Sequence, residues 1–273
     1  CLAMWCFKNA EQVEALDLQD RAFHYGDGCF TTARIYQGKF ELKARHLLRL
    51  KNSCEYLYLK ADLSLIEKSL AKLQSQLDVL NGTLKIIISR GVGQRGYSLP
   101  EQHADVYVWF YPQTHTEFAP QFIQTGVLNQ VIGMSMPHLV GIKTLNRLEQ
   151  VLLKQEADQQ QWIEALVTDV QGMIVEGVSS NCFIYLKDTW ITPELRYNGV
   201  HGVMRAEILS RMEKLNVPVA HGFIDMDEIA NIQALFFCNA LSPMKAVTHL
   251  DGKPLDAQIC VDLFHTLQLN QIH

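Results

Sequence analysis

Short apolar segments occur in groups along this chain, and stretches with helical periodicity separate the groups. Residues 30–36 alternate between two faces and are rich in threonine and aromatic side chains, which is typical of a strand. Residues 44–59 place Leu47, Leu50 and Cys54 on one side of a helix. Grouped strands with interposed helices indicate α+β layers rather than a regular βαβ repeat. We therefore expect an α+β fold.

The other predicted elements follow the same grouping. In the first part of the chain we expect a helix over residues 63–77 and buried strands over residues 83–88 and 106–110. The second part is predicted to contain a helix over residues 144–158, strands over residues 165–168, 173–175 and 183–186, a helix after Gly202 and a strand over residues 235–237.

Residues 112–120 begin and end with proline and contain polar residues between, so they form the best linker candidate. A chain of 273 residues is long enough for two modest domains with cores of their own. We therefore predict a smaller N-terminal domain over residues 1–113, a linker over residues 114–119 and a larger C-terminal domain over residues 120–273. Ligands commonly bind in clefts at domain boundaries.

Composition excludes several classes of partner. The net charge of −5 argues against nucleic acid, because phosphate binding usually requires a basic excess. No apolar run reaches about 18 residues, so no membrane-spanning helix is expected. The start lacks the pattern of a secretory signal, and its unusual opening makes Met4 one candidate for the natural start, with residues 1–3 as either native or foreign. Seven scattered cysteines without CxxC spacing favour reduced, buried thiols and a cytoplasmic location.

Motif spacing also narrows the chemistry. The ten histidines show no metal-ligand spacing, so no metal site is predicted. The chain has no G-x-S-x-G nucleophile motif and no P-loop. Residues 91–96, GVGQRG, have the spacing G-x-G-x-x-G, but no helix is predicted directly after them, so a dinucleotide site is not expected.

Lys143 and Glu176 carry the most informative local contexts. Lys143 follows apolar residues just before a predicted helix, and partly apolar surroundings free an amine for imine formation. Glu176 closes an apolar strand, where a carboxylate must reach solvent or meet a positive partner. On local sequence alone, each residue is more commonly an ordinary surface side chain.

An anion site is predicted where residues 199–205 lead into a helix. Gly202 allows close approach, and the amides at a helix start attract phosphate. Arg49 is a second candidate for phosphate, although the alternatives are a plain turn and a surface arginine.

Substrate contacts are expected from a loop and a strand. Arg95 and Tyr97 lie in a loop rich in arginine and glycine that suits a carboxylate. Alternation places Phe30, Thr32 and Arg34 on one face of their strand, which either contacts substrate or is an ordinary wet sheet face.

Two long segments then carry a resemblance to a known family. They are residues 20–34, DRAFHYGDGCFTTAR, and residues 138–151, HLVGIKTLNRLEQV. They resemble the fold-type IV pyridoxal-phosphate enzymes, closest to the aminodeoxychorismate lyases, and the likeness covers essentially the whole chain. The resemblance implies a two-domain architecture with pyridoxal 5'-phosphate between the domains, and a homodimer.

The resemblance also implies residue roles. Lys143 would hold the cofactor as a Schiff base, and Glu176 would pair with its pyridine nitrogen. The phosphate would be bound by Arg49, Gly202, Val203, Met204 and Asn239. Arg95, Tyr97, Phe30 and Arg34 would contact substrate, and Thr32 is the nominee for the general acid.

The implied activity is conversion of 4-amino-4-deoxychorismate to 4-aminobenzoate and pyruvate, a step toward folate. Phe30 and Tyr97 stand where D-amino-acid aminotransferases have tyrosine and histidine, which favours the lyase. The alternatives are a branched-chain or D-amino-acid aminotransferase on the same scaffold and a cofactor-binding protein without turnover.

Overall fold

A computed structural model describes residues 4–273, and the origin of residues 1–3, native or foreign, lies outside them. Contacts within the chain define two compact units. The first comprises the chain up to Thr116, the short segment Ile142–Asn146 and His273, and the second comprises Glu117–Gly141 and Arg147–Ile272. The first long stretch ends inside the predicted linker, residues 114–119. That residues 1–113 and 120–273 fold as separate domains stays a prediction.

The first unit is built on a six-stranded antiparallel sheet. Its strands are β1 (Trp5–Lys8), β2 (Glu11–Gln12), β3 (Gly28–Tyr36), β4 (Lys39–Phe40), β5 (Gly82–Ser89) and β6 (Asp105–Pro112). Their order is β2-β1-β6-β5-β3-β4. Its helices are α1 (Arg21–Tyr25), α2 (Lys43–Tyr56) and α3 (Ser64–Gln76).

Strand β3 shows why this sequence forms a half-buried sheet. Cys29, Thr31 and Ala33 are fully buried on one face, whereas Phe30 and Thr32 are half-buried on the other. This is the predicted alternation. The buried face contributes to a core with side chains from the two long helices and the neighbouring strands, including Leu50, Ile66, Leu73, Leu84, Ile86 and Val108. Burial of these side chains is the main force that holds the sheet and helices together.

The second unit contains a seven-stranded sheet and a separate two-stranded pair. Its strands are β7 (Gln121–Thr125), β8 (Leu166–Thr168), β9 (Ile174–Gly177), β10 (Asn181–Leu186), β11 (Thr189–Pro193), β12 (Val219–Gly222), β13 (Ala234–Asn239), β14 (Ser242–Leu250) and β15 (Lys253–Pro254). The large sheet has the order β12-β11-β10-β13-β14-β15, β7 pairs with β14, and β8 pairs with β9. Its helices are α4 (Leu148–Gln159), α5 (Val203–Lys214) and α6 (Ala257–Thr266), with 3₁₀ turns at Pro137–Leu139 and Met226–Asn231.

Aromatic stacking stabilises the middle of this larger sheet. Phe183 on β10 and Phe236 on β13 are fully buried, with parallel rings whose centroids lie 5.0 Å apart. Trp190 on β11 meets Phe236 edge-on at 5.4 Å. These contacts join β10, β11 and β13 through their side chains as well as through backbone pairing.

The predicted helix over residues 144–158 was wrong at its start. The helix begins at Leu148, because the amide of Leu145 instead donates to the carbonyl of Gly28 at 3.1 Å. Leu148, Val151 and Leu152 are 69%, 60% and 51% exposed, and the buried residues are Leu153 and Ala157.

Two further properties concern the described residues as a set. No helix within residues 4–273 is long and apolar enough to span a membrane. The six cysteines in that range are buried thiols, as the scattered pattern predicted.

Candidate functional site

Lys143 lies beside the first residues of β3. Thr144 forms an antiparallel bridge with Cys29, and the amide of Phe30 donates to the carbonyl of Lys143 at 3.0 Å. The Lys143 ammonium is 4.7 Å from the centroid of the Phe30 ring. Strand-like pairing therefore fixes the backbone of Lys143, and an aromatic face lies next to its amine.

A polar cluster surrounds Arg49 on the other face of β3. Thr31 is fully buried, and its hydroxyl contacts His46 Nδ1 at 2.6 Å and accepts a hydrogen bond from Arg49 Nη2. Burial, reinforced by the charges of Arg49 and Lys143, lowers the pKa of His46 to about 3. His46 is therefore neutral near pH 7.

Arg49 itself carries a charge that the protein does not neutralise. Part of its side chain reaches the surface, but Nε is buried without a hydrogen-bond partner. Burial lowers the pKa of Arg49 to about 10. No ion pair joins it to a carboxylate of residues 4–273. A guanidinium in this state is suited to bind an anion such as a phosphate.

Glu176 lies on β9 and is 7% exposed. Its Oε2 accepts hydrogen bonds from the amide of Val200 at 3.1 Å and from Asn181 Nδ2 at 3.3 Å. Both donors stabilise the ionised form of the carboxyl group. Glu176 is thus held in one orientation inside the second unit.

The turn after Glu176 is organised by a second buried carboxylate. Glu164 is 3% exposed and accepts hydrogen bonds from five groups: the amides of Ala165, Val178 and Ser179 and the hydroxyls of Ser179 and Ser180. A Cβ atom at Gly177 would lie 2.7 Å from Glu164 Cδ, so glycine is required there. Glu164 thereby fixes the backbone that connects Glu176 to Asn181.

The start of α5 is the predicted anion site. Gly202 precedes the helix, no side chain caps it, and Val203 and Met204 form its first turn. The first amides of a helix have no partner within the helix, so they remain available to an anion. A Cβ atom at Gly202 would lie 2.1 Å from Asn181 Oδ1, so only glycine fits at this position.

Asn239 uses its side chain to connect its own turn with the β9–β10 turn. Nδ2 donates to the carbonyl of Ser179 at 3.1 Å, and Oδ1 accepts from the amides of Leu241 and Ser242. Any contact with a cofactor would therefore come from the backbone that this side chain orders.

The arginine loop is anchored at its base and exposed at its tip. Arg21 Nη1 donates to the carbonyls of Gln94 and Gly96, and the Gly96 amide donates to the Tyr25 hydroxyl at 2.7 Å. Arg95 is exposed, and Tyr97 is 86% exposed. The anchored loop presents both predicted substrate residues to solvent.

Arg34 is more deeply buried than Phe30 and Thr32, with which it was predicted to share a strand face. It is 2% exposed and lies 3.7 Å from Glu41, and it donates to the carbonyl of Thr116. Burial raises the pKa of Glu41 to about 7, against the opposing charge of Arg34. The contacts with Glu41 and Thr116 explain how the guanidinium of Arg34 can be buried.

Several residues of the site were not predicted. Thr31 and His46 form the surroundings of Arg49, and Asn181 and Glu164 order the turn beside Glu176. His46 precedes Arg49 by three residues, so helical spacing was a usable signal for that pair. Asn181 and Glu164 give no such signal, because their partners depend on strand pairing and turn geometry.

These groups fit the chemistry of pyridoxal 5'-phosphate. Arg49 has a buried Nε without a partner, and the uncapped start of α5 offers free amides, which suits a phosphate monoester. Glu176 is a buried carboxylate that can pair with a pyridinium nitrogen. Lys143 supplies the primary amine that an imine requires. Among residues 4–273, no group of three or more histidine, cysteine, aspartate or glutamate side chains could hold a metal ion.

Comparison with known proteins places these residues in a family. The profile of the amino-transferase class IV family matches residues 28–250. The chain is 29% identical over 250 residues to aminodeoxychorismate lyase of Vibrio harveyi, covering 86% of this chain and 89% of that protein. It is 27% identical over 253 residues to D-alanine aminotransferase of Bacillus licheniformis, covering 88% and 85% of the two chains.

A solved structure extends the likeness to the fold. The 4-amino-4-deoxychorismate lyase of Pseudomonas aeruginosa superposes with a TM-score of 0.82 and 32% identity, over 95% of this chain and 98% of that one. This confirms the predicted α+β fold of the fold-type IV class. The chain belongs to the amino-transferase class IV family, whose cofactor is pyridoxal 5'-phosphate.

Proposed function

We propose that this chain is a pyridoxal-phosphate-dependent lyase that converts 4-amino-4-deoxychorismate to 4-aminobenzoate and pyruvate. Similarity to two proteins named for this activity, at 29% and 32% identity, supports the choice. The observation that carries it is the contact between Phe30 and the amine of Lys143 at 4.7 Å. An apolar aromatic face beside the reacting amine suits a ring-shaped substrate that becomes aromatic.

Lys143 is assigned the role of base in this proposal. Bound pyridoxal phosphate supplies an electron sink for the charge that develops at the substrate carbon. The amine of Lys143, with its backbone fixed by Phe30, removes the proton from C4 of the substrate. The bond from C3 to the enolpyruvyl oxygen then breaks, and the ring becomes aromatic.

The remaining residues are assigned to two parts of the cofactor, its pyridine nitrogen and its phosphate. Glu176 keeps a proton on the pyridine nitrogen, and its two hydrogen-bond donors support this role by stabilising its carboxylate form. Arg49 binds the phosphate together with the backbone at the start of α5, at Gly202, Val203 and Met204. The backbone ordered by Asn239 completes the phosphate contacts.

Substrate recognition is assigned to exposed or half-buried groups. Arg95 and Tyr97, at the tip of the anchored loop, are suited to bind a substrate carboxylate. Thr32 is proposed to donate the proton that the departing enolpyruvyl group takes up, a role worth about 10²–10⁴-fold. Arg34 is left out of the proposed contacts because Glu41 and Thr116 already bind its guanidinium.

Pyruvate formation tests the proposal. Purified protein with pyridoxal phosphate and aminodeoxychorismate should release pyruvate and 4-aminobenzoate in equal amounts without a 2-oxo acid. The similarity to D-alanine aminotransferase makes transamination the rival activity. Turnover only when a 2-oxo acid is added would contradict the lyase, and no turnover with either substrate pair would indicate a cofactor-binding protein.

The proposal includes a homodimer in the cytoplasm. Leu148, Val151 and Leu152 place three exposed apolar side chains on one helix, which supports contact with another subunit. Light scattering of the purified chain should give a mass near twice 31.1 kDa. A monomeric mass at working concentrations would contradict this part.

A further inference from the structure

The loop from Gly199 to Gly202 is held by contacts from separate parts of the second unit. The Val200 amide donates to Glu176 Oε2 at 3.1 Å, and the Val200 carbonyl accepts from Asn181 Nδ2 at 2.9 Å. On its other side the loop pairs with Gly141. Gly141 forms a parallel β-bridge with Val200, and its carbonyl accepts a hydrogen bond from the His201 amide at 3.2 Å. Both polar groups of the Val200 peptide are therefore satisfied.

Asn181 is the side chain that joins these contacts. It is 6% exposed at the first position of β10. Its Nδ2 donates both to the Val200 carbonyl and to Glu176 Oε2, which uses both hydrogens of the amide. Its Oδ1 lies 2.1 Å from the place of a Cβ atom at Gly202. One amide group thus contacts a carboxylate, a loop and the residue before α5.

We propose that Asn181 is a positioning residue that orients Glu176 and keeps it ionised against the pyridine nitrogen of the cofactor. The inference rests on the proposed function, which assigns Glu176 to that nitrogen. A hydrogen bond donated to a carboxylate favours its charged form. Asn181 also ties the orientation of Glu176 to the loop that leads into the phosphate-binding helix.

The geometry explains why asparagine is needed here. An aspartate would place a second carboxylate next to Glu176, and two adjacent carboxylates resist joint ionisation. A leucine of similar size would remove the donor to the Val200 carbonyl and one of the two hydrogen bonds that Glu176 Oε2 accepts from Asn181 and Val200. Asparagine alone among these supplies two donors and an uncharged oxygen that fits against Gly202.

Removal of the Asn181 amide should change the protonation of the cofactor. Without that donor Glu176 becomes more basic and less firmly oriented, so it takes a larger share of the proton and stabilises pyridinium less. The higher basicity and the weaker orientation of Glu176 both reduce protonation of the pyridine nitrogen. Loss of the hydrogen bond from Asn181 should lower the pKa of the pyridine nitrogen by roughly one unit, which is a tenfold decrease in its proton affinity.

The chain provides a matched control in Asn198. It is 4% exposed, and its Nδ2 donates to the carboxylate of Asp169 at 3.1 Å and to the Gly133 carbonyl at 3.3 Å. It adjoins the same loop at Gly199, but no hydrogen bond of the described residues joins it to Glu176. Asn198→Leu therefore loosens the loop while it leaves the Asn181–Glu176 contact in place.

The test is nitrogen NMR of holoenzyme prepared with pyridoxal phosphate labelled with ¹⁵N in its ring. Wild type and Asn198→Leu should show the resonance of a protonated nitrogen, and Asn181→Leu should move toward that of neutral pyridine. Asn181→Ala and Asn198→Ala form a second pair that removes the same amides without fitting new methyl groups.

The outcomes separate the inference from the proposed function. An unchanged resonance in folded Asn181 variants would overturn the positioning role, as would an equal displacement in the Asn198 variants. Failure of the wild-type protein to bind pyridoxal phosphate would instead refute the proposed function, and the inference with it.

Discussion

Phe30 contacts Lys143 twice, once through its backbone and once through its ring. The amide donates to the Lys143 carbonyl at 3.0 Å, and the ring centroid lies 4.7 Å from the Lys143 ammonium. The first contact does not depend on the side chain, whereas the second does. Substitution of Phe30 can therefore test the ring without disturbing the backbone.

Phe30→Leu should lower the rate of pyruvate release about fivefold without changing the unfolding midpoint by much. A cation–π contact contributes about 0.5–1 kcal/mol at an accessible site, and leucine keeps the apolar bulk. Phe30→Tyr keeps the ring and should stay within about twofold of wild type. Equal losses in both variants would show that the ring contact is not the important property.

Arg49→Met should weaken binding of pyridoxal phosphate at least about tenfold and leave the apoprotein as stable as wild type or more stable. The guanidinium has a buried Nε without a partner, so its removal relieves a desolvation cost when no phosphate is bound. Cofactor titration and urea unfolding of the apoprotein measure the two effects.

Arg90 provides the contrast for Arg49. Arg90 is 5% exposed, pairs with Asp27 at 3.0 Å and donates to the carbonyls of Leu57 and Tyr58. Arg90→Met should destabilise the protein by about 1–3 kcal/mol, since the carbonyls of Leu57 and Tyr58 lose their donor while Asp27 keeps its ion pair with Arg21 at 3.0 Å. A similar destabilisation by Arg49→Met would contradict the view of Arg49 as an unsatisfied anion site.

His46 should make the protein less stable as the pH falls from 7 to 5. Its pKa is about 3 in the folded protein and near 6.5 unfolded, so the unfolded chain binds more protons between these values. This contribution of neutral His46 to stability is fully present at pH values above the unfolded pKa of about 6.5, and it is lost as the pH falls toward the folded pKa of about 3. The loss at pH 5 is about 2 kcal/mol, from the shift in protonation across 1.5 pH units.

Unfolding of wild type and His46→Asn at both pH values isolates this effect. The difference in unfolding free energy between the two proteins should change by about 2 kcal/mol in the direction that disfavours wild type at pH 5. Glu41 acts oppositely, because its raised pKa favours the folded state at low pH, but it is common to both proteins. A pH-independent difference would contradict a buried neutral His46.

Local patterns predicted the elements that depend on local spacing. Strand β3 and helices α2 and α3 appear where alternation and helical periodicity placed them. The start of α4 was predicted too early because Thr144 and Leu145 pair with β3, a contact between distant parts of the chain. Periodicity cannot report such a partner.

In the candidate site, too, contacts between distant parts of the chain could not be predicted from local patterns. Lys143 and Glu176 were ordinary on local chemistry, and the family motifs singled them out. Alternation placed Arg34 with Phe30 and Thr32, but it did not indicate the ion pair with Glu41, just beyond the β3–β4 hairpin; that Arg34 contacts substrate stays a prediction. Asn181 could not be predicted, because its partners meet only through the β9–β10 turn and the loop before α5.

Borohydride reduction tests the central claim, that Lys143 carries the cofactor, most directly. Protein reconstituted with pyridoxal phosphate should be yellow, lose its visible absorption on reduction, and yield one peptide with the pyridoxyl group on Lys143. The neighbouring lysine on β5, Lys85, whose ammonium lies 5.0 Å from the same Phe30 ring, should stay unlabelled. A label on Lys85, or a Lys143→Ala protein that is still labelled and fully active, would contradict the account.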